Sequence, residues 1–303
     1  MLSTSISFIT TVALVAQVSA FPVLQSRATA DTAAWSFLQR AAELSSAAFT
    51  GCTGTAFDIT ITKQVYDLTT NAKGFVGYSA SNKKISVVMK GCTTDEYCLL
   101  IADVVQKTDI LNDVDTTLVV PSLSGVTFPS GARIMNGISS PWSAVHDEII
   151  AEVKSLVEQY PDYSLESTGH SLRGSLTYLS YVALASNFPG KDITSNAMAA
   201  FPIGNQAWVT FAESFNGTLN RGNNYDDGVP NMYIQTPYEF VHFGTVSRTS
   251  LNEYYSYGTQ ATCVKCSGER DTSCSAGNGQ YSVTPGHFSS FGIALGYAGC
   301  SAL

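Results

Sequence analysis

Residues 136–200 alternate between helix and strand patterns, and this alternation leaves few folds open to the chain. A helix is predicted to open at Ser139-Ser140-Pro141, because a serine can cap the first turn and a proline fits within it. A strand is then predicted at residues 163–167, a helix at 172–187 and a strand at 192–200. This order is typical of an α/β fold with a largely parallel sheet.

Further elements flank this stretch on both sides. The helical spacing of Trp35, Leu38 and Phe49 predicts a helix over residues 31–50. Strands are predicted at residues 65–68, 74–80 and 84–90, and another helix at 205–215. No internal repeat is found, so we expect residues 31–303 to form one domain.

The first 20 residues have the pattern of a secretory signal peptide. Residues 2–20 carry no charged side chain, residues 8–16 are largely apolar, and Val18-Ser19-Ala20 offers small residues for cleavage. The apolar run is shorter than the roughly 20 residues that a membrane span needs. We therefore expect a secreted protein without a transmembrane span, with residues 21–30 as a tail or propeptide.

The charge balance excludes some classes of partner. Charged residues make up 13% of the chain and apolar residues 45%. A disordered protein instead has many charged and few apolar residues. With 16 basic against 24 acidic residues the formal net charge is −8, and no basic stripe is present. Because such a surface repels phosphate backbones, we expect no nucleic-acid partner.

Secretion also bears on the seven cysteines and on one sequon. All seven cysteines follow the signal, and an oxidising compartment favours disulfides. The number is odd, so at least one thiol is left over within a single chain. Asn216 begins the sequence Asn216-Gly217-Thr218, a candidate site of N-glycosylation.

A candidate nucleophile lies at the predicted turn between the strand at 163–167 and the helix at 172–187. Residues 169–174 (Gly-His-Ser-Leu-Arg-Gly) place Ser171 between small neighbours, as a tight strand-to-helix turn requires. The start of the following helix favours negative charge, which suits the oxyanion of an acyl-transfer intermediate. The pattern predicts a serine hydrolase of the α/β-hydrolase fold.

A nucleophilic serine needs a histidine as base and an acid to orient that histidine, in the chain order serine, acid, histidine. His146 precedes the serine, and His170 adjoins it and cannot face it. His242 and His287 remain, and His287 is preferred because it follows a Pro-Gly pair in a predicted loop. Asp226 and Asp227 are the candidate acids, in a loop after the helix at 205–215.

The sequence contains several short motifs, and their order along the chain resembles that of one protein family. They are Val87-Val88-Met89-Lys90-Gly91-Cys92, Tyr160-Pro161-Asp162-Tyr163, Thr168-Gly169-His170-Ser171-Leu172, Pro202-Ile203-Gly204-Asn205-Gln206-Ala207, Asp227-Gly228-Val229-Pro230, Gly286-His287 and Gly299-Cys300. Over residues 31–303 the chain resembles the secreted fungal class 3 lipases, a family that also contains feruloyl esterases.

The resemblance implies a role for each candidate residue. Ser171 is the expected nucleophile, Asp227 rather than Asp226 the acid, and His287 the base. The backbone N–H groups of Leu172 and Cys92 are the expected oxyanion donors. The family's lid, a short amphipathic helix, is expected near residues 94–104.

The resemblance also implies two disulfides, and it leaves three cysteines unassigned. Cys52 is expected to pair with Cys300, and Cys266 with Cys274. The unassigned cysteines are Cys92, Cys98 and Cys263. A zinc site built from Cys263, Cys266, Cys274 and a nearby histidine ranks below the disulfide interpretation.

Three residues depart from the family pattern. Arg173 stands where the family has glycine, two residues after the serine, and Lys90 and Cys92 replace Arg and Ser or Thr. An arginine there is expected either to strain the turn and weaken activity or to be tolerated. We favour retained activity, because the remaining triad positions match.

The function expected from this sequence is that of a secreted serine carboxylic-ester hydrolase. A triacylglycerol lipase working through an acyl-serine is preferred, and a feruloyl esterase is the main alternative. A weakened family member that binds lipid, because of Arg173, is the second alternative. No metal, cofactor or nucleotide motif is found, and we expect a monomer acting on a lipid or ester.

Overall fold

The computed structural model describes residues 30–90, 114–244 and 251–301. A nine-stranded sheet forms its centre, with the strand order β1-β2-β3-β4-β7-β8-β9-β10-β11. The strands are β1 (Thr55–Ala56), β2 (Ile59–Asp67), β3 (Ala72–Ser79), β4 (Lys84–Met89), β7 (Ser164–His170), β8 (Ile193–Met198), β9 (Thr218–Asn224), β10 (Leu251–Ser256) and β11 (Val264–Lys265). Two short pairs lie outside it, β5 (Leu118–Val119) with β6 (Ile134–Met135) and β12 (Ser289–Ser290) with β13 (Ile293–Ala294).

The sheet is antiparallel at its edges and parallel in its centre. Strands β1 to β4 pair antiparallel in chain order, and β11 pairs antiparallel with β10. Strands β4, β7, β8, β9 and β10 all pair parallel. The carboxyl ends of these five strands therefore meet at one edge, where an α/β sheet places its ligand sites.

Within residues 30–90, 114–244 and 251–301, four α-helices connect and cover the strands: α1 (Thr32–Thr50), α2 (Asn136–Gln159), α3 (Leu172–Asn187) and α4 (Gln206–Ala212). Strand β4 shows which face each helix covers. Ile85, Val87 and Met89 belong to the apolar cluster of α2 and α3, whereas Val88 packs with residues of α1. Because alternate side chains of a strand point to opposite faces, α1 covers one face of the sheet and α2 with α3 the other.

The predicted helices and strands are present, with corrected boundaries. Helix α2 begins at Asn136 instead of near Ser139, and Pro141 lies inside it. The earlier turn is held from outside the helix, because Asn136 N–H donates to Thr117 O and Gly137 N–H to Asp115 O. Pro141 then removes only one intrahelical bond. Helix α4 is also shorter than the predicted 205–215, with Asn205 as its cap.

Strands β9 and β10 were not predicted, because the buried side chains of β9 are largely polar and those of β10 (Glu253, Tyr254, Tyr255, Ser256) do not alternate between apolar and polar. Asn220 of β9 donates through Nδ2 to Asn196 Oδ1 on β8 at 2.9 Å. Asn252 of β10 donates in turn to Asn220 Oδ1 at 2.9 Å. This ladder of amides links buried polar side chains across three strands and shows no apolar alternation in the sequence.

Two disulfides of the described residues match the pairings that the resemblance implies. Cys52 bonds Cys300 across 248 positions of sequence, joining the residues that follow α1 to the segment that follows β13. Cys266 bonds Cys274 across eight positions. Cys92 and Cys98 lie outside the described residues, and Cys263 is a buried free thiol. Across the described part of the chain, no helix has the length and apolarity that a membrane crossing requires.

We predict that the two disulfides differ in their contribution to stability. Crosslinking a longer loop removes more entropy from the unfolded chain, about 5 kcal/mol for the Cys52–Cys300 loop against about 3 kcal/mol for Cys266–Cys274. Cys52→Ala/Cys300→Ala should therefore lower the free energy of unfolding by about 2–3 kcal/mol more than Cys266→Ala/Cys274→Ala. Urea unfolding of both double variants beside the parent measures the difference. Equal losses would contradict the loop-length argument.

Candidate active site

Ser171 lies at the turn between the central strand β7 and helix α3, near the carboxyl edge of the parallel strands. Its φ of 62° and ψ of −133° place a non-glycine residue in a strained region of backbone conformation. Its N–H donates to Met198 O of β8 at 3.0 Å, which holds the turn against the neighbouring strand. Such a turn directs the serine Oγ away from the backbone, as a nucleophile elbow requires.

Two glycines make this sharp turn possible by close backbone contact. A Cβ at Gly169 would overlap the carbonyl of Arg173, and a Cβ at Gly174 would overlap Met198 O of β8. The close approach of helix α3 to the sheet is therefore at Gly174, three residues after the serine. Arg173 lies beside this contact, and the turn keeps its geometry with an arginine there.

The structure brings Ser171, His287 and Asp227 together from three separate segments. His287 Nε2 is 2.8 Å from Ser171 Oγ, and His287 Nδ1 is 3.0 and 3.1 Å from the two carboxylate oxygens of Asp227. All three residues are buried, and Asp227 is completely so. This arrangement can pass the serine proton to an imidazole whose second nitrogen faces a carboxylate.

The loops that carry Asp227 and His287, the candidate acid and base, are bonded to each other. Gly228 N–H donates to Thr284 Oγ1 at 3.2 Å, and Thr284 Oγ1 donates to the carbonyl of Asp226. Asn278 Nδ2 donates to Asp227 O at 2.8 Å. Thr284 and Asn278 were missed in the sequence, because single polar residues in irregular loops follow no periodic pattern.

Asp226 lies beside the acid but does not contact the imidazole in the same way. Its backbone has a φ of 56° and its carbonyl accepts from Thr284. The Asp227 carboxylate instead accepts from Val229 N–H at 3.0 Å and faces His287. The positive φ of Asp226 turns the chain, so that the next carboxylate points inward.

His170 packs against the base without joining the hydrogen-bond chain. Its ring centroid is 4.5 Å from that of His287. Complete burial, together with the neighbouring His287, holds the pKa of His170 well below its usual range. A neutral His170 therefore supports the His287 ring by contact and adds no charge beside it.

The expected oxyanion donors and lid are only partly described. Leu172 is the first residue of α3, and the N–H groups of a first helical turn have no partner within the helix. Cys92 and the lid expected near residues 94–104 lie outside the described residues. Asn216, the candidate glycosylation site, is exposed between α4 and β9.

His242 is buried away from the candidate triad, with its Nε2 2.6 Å from Pro230 O. Burial, with lesser contributions from Arg221 and Arg270, places the pKa of His242 well below its usual range. The ring supports the turn that follows Asp227. It is a structural residue in an irregular segment rather than an alternative base.

A central parallel strand that passes through a strained serine turn into a helix defines the α/β-hydrolase class. Comparison with known proteins identifies one family within this class. A family model described as Lipase (class 3) matches residues 95–236. A secreted alkaline triacylglycerol lipase of Penicillium cyclopium is 56% identical over 297 residues, which cover 98% of each chain.

Solved structures agree with this relationship. The crystal structure of a triacylglycerol lipase from Penicillium expansum is 56% identical and superposes with a TM-score of 0.81, covering 90% of this chain and 98% of that one. Lipase II from Rhizopus niveus, at 20% identity, shares the fold with a TM-score of 0.71 over 89% of this chain and 98% of its own. The chain belongs to the class 3 lipase family, as the sequence motifs predicted.

The close contact at Gly174 gives a prediction about stability. Gly174→Ala should lower the free energy of unfolding by about 3 kcal/mol, because the added methyl group overlaps a backbone carbonyl that cannot move alone. The matched control is Gly131→Ala, whose Cβ would meet its nearest neighbour, Ala207 Cβ, at 3.7 Å. This control should stay within about 0.5 kcal/mol of the parent in urea unfolding. Equal effects of the two alanines would contradict the packing argument.

The two buried neutral histidines give a prediction about pH. Unfolded histidines take up protons below about pH 6.5, whereas His170 and His242 in the folded protein do so only at lower pH. The contribution of these two neutral histidines to the stability of the folded state is therefore complete above pH 6.5, and it is lost as the pH falls below that value. Each should lower the free energy of unfolding by about 1 kcal/mol between pH 7 and 5.5.

The measurement is urea unfolding at both pH values, for the parent and for His242→Gln. The variant should show a decrease smaller by about 1 kcal/mol, since glutamine does not titrate. The interval from pH 7 to 5.5 lies above the range in which ordinary carboxylates titrate. The contribution of the histidines to the pH dependence is therefore measured apart from that of the carboxylates. An unchanged pH dependence in the variant would contradict the assignment.

Proposed function

We propose that the protein is a secreted triacylglycerol lipase, which hydrolyses ester bonds through an acyl-serine intermediate. The observation that carries this proposal is the hydrogen-bonded arrangement of Ser171, His287 and Asp227 in a member of the class 3 lipase family. Two relatives at 56% identity are named triacylglycerol lipases, and one of them is named as secreted. The expected signal peptide at residues 1–20 supports the same location.

In the first half of the proposed reaction, Ser171 Oγ attacks the ester carbonyl carbon while His287 Nε2 accepts the serine proton. The carboxylate of Asp227 stabilises the imidazolium that forms. The carbonyl oxygen becomes an oxyanion, which would be stabilised by the N–H of Leu172 and by a second donor at Cys92. When the intermediate collapses, the C–O bond breaks and the alcohol leaves with the proton of His287.

The second half returns the serine to its starting state. A water molecule attacks the acyl-serine carbonyl, and His287 accepts its proton. A second tetrahedral intermediate then releases the carboxylic acid, and the proton returns to Ser171 Oγ. Every proton in the cycle is handled by a group of this chain, so the proposed reaction needs only ester and water.

We predict that the two neighbouring aspartates differ sharply in their effect on activity. Ser171→Ala should abolish turnover of a nitrophenyl ester, and Asp227→Asn should lower kcat by about 10³–10⁴-fold because the imidazole loses its charged partner. Asp226→Asn is the matched control and should keep activity near that of the parent, since the hydrogen bonds of His287 Nδ1 go to Asp227. Equal losses in the two asparagine variants would contradict the assignment of Asp227.

A series of acyl chains tests the substrate class in the same assay. A preference for long acyl chains, together with hydrolysis of emulsified triacylglycerol, supports a lipase. A preference for hydroxycinnamoyl esters would instead indicate a feruloyl esterase. Absence of Ser171-dependent turnover from folded protein would overturn the hydrolase proposal.

A further inference from the structure

Arg173 has a position that the proposed reaction does not yet explain. It lies in the first turn of α3, two residues after Ser171, and its side chain is buried with 6% of its surface exposed. The guanidinium donates from Nε to the carbonyl of Lys90 at 3.1 Å and from Nη2 to the carbonyl of Asn71 at 2.9 Å. A fixed planar fork can make these two bonds at once.

Both acceptors lie at ends of sheet strands beside the nucleophile turn. Lys90 directly follows β4, the parallel neighbour of β7, in which Met89 is paired with Gly169. Asn71 lies in the turn between β2 and β3, and Lys90 N–H donates to Lys73 O of β3. The arginine thus connects the first turn of the nucleophile helix to two neighbouring strand ends.

Burying this cation is unfavourable. Desolvation lowers the pKa of Arg173 to about 10. Within the described residues no carboxylate forms an ion pair with it, in contrast to Arg221, which is buried against Glu253 at 2.8 Å. A buried charge that is held only by backbone carbonyls costs free energy, which the two bonds must offset.

Packing does not require an arginine at this position. The close helix–sheet contact is made by Gly174, and a smaller residue at position 173 would leave that contact unchanged. What a smaller residue would lose is the connection between α3 and the end of β4. This connection joins the end of β4 to the turn that carries Ser171 and the backbone N–H of Leu172, the expected oxyanion donor among the described residues.

We propose that Arg173 is a positioning residue for ester hydrolysis: by bonding Lys90 and Asn71, it fixes the end of β4 relative to the turn that carries Ser171. This inference rests on the proposed function, because it assigns Arg173 to the same site. Its effect is on the geometry of the transition state, because the Ser171 Oγ and the Leu172 N–H must both be correctly placed around the reacting carbonyl. Substrate binding in the ground state depends on it less.

The experiment compares Arg173→Gly and Arg173→Lys with the parent on a soluble short-chain nitrophenyl ester. Arg173→Gly should lower kcat by about 10- to 100-fold with little change in KM, because misplaced donors weaken transition-state stabilisation. Lysine keeps the charge but not the fork, so Arg173→Lys should recover only part of the loss. Active-site titration of Ser171 normalises kcat to folded enzyme.

A second readout separates positioning from simple stabilisation of the fold. A phenylboronic acid forms a tetrahedral adduct with the serine, and its affinity should fall in parallel with kcat. The matched control is Arg133→Gly, since Arg133 also donates to two backbone carbonyls, those of Ser130 and Ala132, outside the site. This control should keep the kcat and boronate affinity of the parent.

The outcomes are distinguishable. A parent without Ser171-dependent turnover overturns the proposed function and this inference with it. An active parent whose Arg173→Gly variant keeps or raises kcat and keeps boronate affinity overturns this inference alone, even if its Tm falls. If Arg173→Gly does not fold, the test uses Arg173→Lys instead. An Arg173→Lys variant with the kcat and boronate affinity of the parent would overturn the inference.

Discussion

The contact between helix α3 and strand β8 is the constraint on which the site depends. Gly174 lets the helix approach Met198 closely, and this approach allows the chain to turn sharply enough at Ser171 for φ to become positive. The strain of that turn is held by the parallel sheet, through the bond from the serine N–H to Met198 O. Ser171 is fixed in this way by helix α3 and the sheet. The loops that carry His287 and Asp227 then complete the hydrogen-bonded arrangement.

The elements with apolar periodicity could be predicted, and those that bury polar groups could not. Helix α2 has buried apolar residues at helical spacing, such as Trp142, Val145 and Ile149, and strand β4 is a short apolar run. Both elements are present in the structure. Strands β9 and β10 bury asparagines and the Arg221–Glu253 pair, which no hydrophobic period reveals. The start of α2 was also misjudged, because contacts from residues 115 and 117 extend it backwards.

The candidate site was predictable to the extent that motifs and chain order define it. The sequence named Ser171, Asp227 and His287, and the structure places these three side chains within hydrogen-bonding distance. The sequence did not show that the close helix–sheet contact lies at Gly174, one residue after Arg173. The acceptors of Arg173 are more than 80 residues away in sequence, so their proximity depends on the sheet order and not on any local pattern.

The order of the site residues along the chain bears on biosynthesis. Ser171 precedes its base by 116 residues, and the closing partner of Cys52 comes later still, at position 300. A chain is made and exported from its amino end, so Ser171 emerges long before His287, its hydrogen-bond partner in the folded protein. A nascent chain of this protein thus carries no complete proton relay while it crosses the membrane of its own cell. The hydrogen-bonded arrangement of Ser171, His287 and Asp227 forms only when the segment that carries His287 has joined the fold.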